Sequence, residues 1–194
     1  MLLDVLKQLN WIDFLVVILI LRIGYIARKN GFSLELFKLL GTVLATYLSL
    51  HYYLIFSDYI GKRIGVNNIP LEYLTSLIFI VLAILGYLVF VFLRNVFYRF
   101  IEMEAVPSLN QWGGLFLGLA RGALLVSLMT FILVTSPFKY LKDSVSASYS
   151  GKYLLKIAPN VYSGLWNNIA SKFITQEKFN KAILEIPKAL ESEK

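Results

Sequence analysis

Apolar runs broken by short polar stretches fill the first 137 residues. A helix needs about 17 to 25 mostly apolar residues to cross a bilayer. Four runs reach that length, at residues 11–27, 34–56, 73–93 and 113–136. The third carries no charge, and the fourth carries only Arg121. Pro70, Pro107, Pro137, Pro159 and Pro187 all fall outside the four runs. That placement suits helices in lipid, where a lost backbone donor is costly. The pattern predicts an all-α fold: an integral membrane four-helix protein with a C-terminal amphipathic interfacial helix.

Beyond Pro137 the pattern changes. Val161, Leu165, Ile169 and Phe173 recur every four residues, with Trp166 beside them and Asn167, Asn168, Ser171 and Lys172 mostly on the other side. This is an amphipathic helix, too polar to span, that suits an interface or the loops of its own bundle. The chain thus divides into a four-span domain at 1–137, an amphipathic segment at 138–176 and a polar, loose tail at 177–194. The first run has the general shape of a signal peptide. Arg22, the absence of an A-x-A site and the later spans favour a retained helix.

The first two spans are joined by "ARKNGFSLE", residues 27–35, a tight hairpin. Asn30 and Gly31 can turn the chain through positive φ. Glu35 then lies in the first turn of the next helix, where the helix dipole favours an anion.

Composition narrows the chemistry. The chain is 58% hydrophobic and 16% charged, has no cysteine and has one histidine, His51. Thiol nucleophiles, disulfides, thiolate metal sites and His-pair motifs are excluded, and no hydrolase or phosphate-loop signature is present. Neither an enzyme nor a cofactor is expected. The net charge is +7, and residues 138–194 hold nine Lys against five Asp and Glu. Such a balance beside apolar spans points to anionic lipid, not nucleic acid. His51, in "SLHYYLIF", reads as an interfacial residue whose one neighbouring carboxylate in sequence is Asp58. Asp13 reads as an interfacial or capping residue.

Arg121 poses the main question. An arginine at the centre of a span costs about 2.5–3.5 kcal/mol on insertion scales. Gly114, Gly118 and Gly122 form two overlapping GxxxG units on one helix face, a groove that admits another backbone closely. Arg121 lies beside that face. Arg22 reaches toward the same side of the membrane, as do Glu35, Glu102 and Glu104, so these five residues form a candidate polar cluster. Snorkelling of both arginines, an internal ion pair and a substrate path are the three readings. Basic residues divide seven against seven between the two sides, so charge alone sets no orientation.

These stretches resemble the CvpA family, bacterial inner-membrane proteins named for colicin V production. The resemblance rests on "WIDFLVVILILRIGYIARKNGFSLELFKLLG", the "HYY" of the second span and "GGLFLGLARG" of the fourth. Asp13, Gly24, Gly31, Phe32 and Glu35 occupy the family's first-hairpin positions. Asn110, Gly114, Gly118, Arg121 and Gly122 occupy those before and within the fourth span. Asn30 and Gln111 stand where arginine is usual. The resemblance implies a multi-pass inner-membrane protein with extracytoplasmic termini, supporting toxin production or secretion and envelope homeostasis without catalysis. Expected partners are the bilayer, a second copy docked through the glycine face, and secretion or envelope proteins. A small oligomeric channel or transporter with an arginine-lined path is the alternative.

Overall fold

The computed structural model describes residues 9–64, 70–97, 107–174 and 176–192. These residues are all-α, with no strand among them. Three long helices lead: α1 (Trp11–Ile64), α2 (Leu71–Phe97) and α3 (Pro107–Thr135). The shorter α4 (Lys139–Ala147), α5 (Tyr149–Leu154), α6 (Ile157–Leu165), α7 (Ser171–Phe173) and α8 (Ala182–Ser192) follow, with a π turn at Trp166–Ala170 between α6 and α7. α2 from Leu71 to Val96 and α3 are long and apolar enough to cross a membrane.

The expected loop between the first two runs shrinks to one residue. Helical geometry runs through α1 except at Gly31, where φ is 78° and ψ is 173°. A residue with a Cβ rarely adopts that φ. The two arms fold back on each other there: Ala27 and Glu35 both approach Gly118. The second arm also outruns its predicted end at 56 and stays helical to Ile64.

The arms pack differently. Ile23, Ala27 and Gly31 of the first arm lie against Gly122, Gly118 and Gly114 of α3, an antiparallel pairing. Gly41 and Ala45 of the second arm meet Phe90 and Gly86 of α2, also antiparallel. A Cβ on Gly86 would lie 2.7 Å from Ala45 Cα, so glycine sets that backbone spacing. Where the helices converge, Tyr53, Phe79 and Phe131 supply one ring each, with centroids 5.4–6.2 Å apart. Thr42, Thr46 and Ser49 are buried on the second arm, and each hydroxyl donates to the carbonyl four residues earlier. Their polarity is thereby satisfied inside the helix.

Outward faces are apolar. Phe14, Ile18 and Leu21 of α1, and Ile84, Leu88 and Phe92 of α2, are all more than half exposed. This is more large apolar side chain than a water-facing surface ordinarily shows.

The C-terminal region departs from expectation twice. The buried row on α6 and the π turn is Ala158, Tyr162, Trp166 and Ala170, one residue out of step with the predicted Val161, Leu165, Ile169 and Phe173. Ile169 and Phe173 are exposed, while Val161 packs at the core's edge. Leu165, Ile169 and Phe173 line a groove of about 360 Å³ with Leu40, Val43 and Phe90. The tail is not loose over residues 182–192. Ile183 and Leu190 are buried on α8, and Ile186 packs against the core, because these three follow helical spacing.

Candidate functional site

The hinge at Gly31 assembles the first site. Asn110, in the first turns of α3, accepts a 2.6 Å hydrogen bond from the Phe32 N–H through Oδ1. That donor begins the second arm and has no partner within it. A Cβ on Gly31 would lie 2.5 Å from the same Asn110 oxygen. Hinge and α3 are therefore fitted to each other by one glycine and one amide.

One turn further on, Glu35 is wholly buried. Its Oε1 accepts from Asn30 Nδ2 at 2.6 Å and from Lys38 Nζ at 3.1 Å. Its Oε2 lies 3.0 Å from Arg121 Nη2. That distance makes an ion pair, but the approach is out of line for a hydrogen bond. Glu35 Oε2 and Arg121 Nε are both buried without a hydrogen-bond partner. The cluster is thus one carboxylate shared by two cations and an amide. Asn30 and Lys38 satisfy the lone pairs of Oε1 that the pair leaves open, as a buried carboxylate requires.

The glycine face delivers Arg121 to this carboxylate. A Cβ on Gly114 would lie 2.7 Å from the Ala27 carbonyl oxygen, and one on Gly118 would overlap Ala27 Cβ. One on Gly122 would meet Ile23 at 3.5 Å, an ordinary contact. The chain's own first arm thus fills the groove expected to dock a second copy. An oligomer would have to use another surface.

Of the five residues grouped in sequence, Glu35 and Arg121 meet. Arg22 does not join them; it is exposed on the outer surface of the first arm. Two residues from the buried Gly24 is about 200° around a helix, which turns Arg22 away from α3. The two arginines line no common path as placed. Glu102 and Glu104 lie outside the described residues.

Sequence reasoning missed a second site, around His51, which is 1% exposed. Its ring is sandwiched between Tyr47, with centroids 5.3 Å apart, and Trp166, with centroids 5.0 Å apart. Nδ1 is 2.8 Å from Tyr162 Oη, and Nε2 is 2.8 Å from Glu177 Oε2. Tyr52 Oη donates to the same carboxylate at 3.0 Å. The Asn180 N–H donates to Tyr162 Oη at 3.1 Å, and Asn180 Nδ2 to the Leu50 carbonyl at 2.9 Å. One neutral tautomer, protonated on Nε2, satisfies every partner. Burial pushes the Tyr162 phenol up to about 12, so it remains a donor at neutral pH. Both imidazole nitrogens are engaged within the chain, so the ring offers neither to a substrate. A buried histidine needs partners, and Glu177 and Asn180 beside Phe179 were the available signal.

Asp13 makes a third tie. It is 3% exposed and accepts from the backbone N–H of Tyr149 at 3.3 Å and of Ser150 at 2.7 Å, and from the Ser150 hydroxyl at 2.5 Å. It also accepts from the Asn10 N–H at 2.9 Å. The start of α1 therefore caps the start of α5. Ser127 adds a fourth tie, accepting from the Ala158 N–H at 2.7 Å and donating to the Leu155 carbonyl at 3.3 Å.

Four ties thus radiate from the long helices: the hinge with its shared carboxylate, the histidine clasp, the Asp13 cap and Ser127. Among the described residues no cluster of His, Asp and Glu could hold a metal ion. No curated protein and no solved structure matches the chain. The family model described as "Colicin V production protein" matches residues 12–159, which hold the hinge, both partners of the ion pair, His51 and the Asp13 cap. That match spans most of the sequence, and the chain belongs to the colicin V production protein family.

Proposed function

We propose that this is a multi-pass inner-membrane protein that supports production or secretion of a colicin V-type toxin and envelope homeostasis, without catalysis, through partner proteins or self-association. The family match over residues 12–159 carries this reading. The physical arrangement supports it. The two arms of α1, with α2 and α3, make four antiparallel segments whose outward faces are apolar. Lipid would cover those faces. In this reading Glu35 and Arg121 hold the bundle together, and the C-terminal segment packs along the second arm from Leu50 to Leu40.

Deletion from a strain that makes such a toxin, followed by complementation, tests the role. Toxin release and resistance to envelope stress should fall together and return with the wild-type chain. Unchanged release and unchanged stress resistance in the deletion strain would sink the proposal.

Orientation is tested separately. The chain has no cysteine, so Ala147→Cys, at the exposed last residue of α4, gives a single probe. Labelling by an impermeant maleimide in intact spheroplasts is expected and would place the C-terminal segment outside the cytoplasm. Labelling only after lysis would reverse the protein.

A further inference from the structure

Beside the hinge a cleft of about 630 Å³ opens between the first arm of α1 and the start of α3. Tyr25, Arg28 and Lys29 line one wall, and Pro107, Asn110 and Gln111 line the other. Among the described residues neither cation pairs with a carboxylate. Both are instead held on rings: Lys29 Nζ stands 4.5 Å from the Tyr25 centroid, and the Arg28 guanidinium 5.6 Å from that of Trp112. The first turn of α3 contains no acidic residue, and its positive end adds to the two cations.

The surface beside the cleft is apolar. Ile18, Leu21 and Tyr25 on the first arm and Trp112 and Phe116 on α3 are all more than 60% exposed. A ligand that satisfies both regions has an anionic head and a hydrocarbon body. We propose that the cleft binds the phosphate headgroup of an anionic membrane lipid, whose acyl chains lie along the exposed faces of the first arm and α3. Arg28 and Lys29 supply the charge, Gln111 an amide, and the aromatic rings hold the cations in place. Phosphate is the shared chemistry of a lipid headgroup and a small soluble phosphate; the adjoining apolar surface favours the lipid. The inference rests on membrane placement but not on orientation or the toxin role.

The test is native mass spectrometry of the full chain, extracted from membranes in mild detergent and offered phosphatidylglycerol or phosphatidylcholine. Phosphatidylglycerol should be retained preferentially, and its apparent affinity should fall roughly tenfold in Arg28→Gln/Lys29→Gln. Lys62→Gln/Arg63→Gln, which removes the same charge at the far end of α1, should leave retention unchanged. Arg28→Lys/Lys29→Arg should restore it, separating loss of charge from loss of fold. Equal retention of the two lipids, or an unaffected Arg28→Gln/Lys29→Gln variant, overturns the proposal. Complete displacement by glycerol 3-phosphate would assign the cleft to a soluble phosphate and overturn the lipid. Recovery of the chain in the soluble fraction without detergent would instead refute membrane placement itself.

Discussion

Arg121 Nη2 stands 3.0 Å from Glu35 Oε2, and this contact joins the second arm of α1 to the middle of α3. Without Glu35, Arg121 would be buried with no counter-charge; without Arg121, Glu35 would keep Asn30 and Lys38 on Oε1 but lose the charge facing Oε2. Removing one partner of a buried pair typically costs about 3–5 kcal/mol, whereas replacing both with apolar residues is often nearly neutral. Arg121→Leu and Glu35→Leu should each lower the melting temperature in detergent, and the double variant should lose much less than their sum. Additive losses would show that the two do not interact. The expected coupling is favourable by about 1–3 kcal/mol.

The glycine face should respond in a graded way. Gly114→Ala and Gly118→Ala push a methyl into the first arm, against the Ala27 carbonyl and the Ala27 side chain. Overpacking of this kind costs about 1–3 kcal/mol. Gly122→Ala meets Ile23 at 3.5 Å and should be nearly silent. Denaturation of the three variants in one detergent would check the order; equal effects would contradict the packing.

Asn110 should matter through its oxygen. Asn110→Ala strips the Phe32 N–H of its partner at the hinge and should cost about 1 kcal/mol, as loss of a helix cap does. Asn110→Asp keeps the acceptor and should retain most of the stability. Similar losses in both variants would show that the side chain acts by shape.

The histidine clasp governs the C-terminal segment. Glu177→Ala and His51→Ala each remove an anchor of residues 176–181, so amide exchange there should speed by at least tenfold, since a charged hydrogen bond is worth about 1.5–3 kcal/mol. Exchange in the middle of α3 should stay slow. Acceleration spread evenly over the chain would mean that the clasp is part of one cooperative unit.

Much of this was legible in sequence, and the failures have physical causes. A charge within an apolar helix must find a counter-charge, and Gly114, Gly118 and Gly122 marked the close face, so Glu35 was within reach of prediction. Arg22 was misplaced because its side of the membrane was considered and its angle around the helix was not. The row on α6 slipped by one residue because Tyr162 and Trp166 bury their rings against His51. The predicted stripe took Val161, Leu165, Ile169 and Phe173 as its row and left Tyr162 and Trp166 at its side. The Glu177 contact joins residues far apart in the chain, and only the folded bundle brings them together.

The two oxygens of Glu35 draw their partners from different parts of the chain. Asn30 and Lys38, which bind Oε1, belong to the same hairpin and are at hand once that hairpin closes. Arg121, which faces Oε2, arrives only with α3. In the proposed multi-pass reading, the hairpin would enter the membrane with its carboxylate partly neutralised and hold a vacant half-site for a later helix. Biogenesis would then have an order, in which the first hairpin waits as a receptor and α3 completes it as the matching ligand.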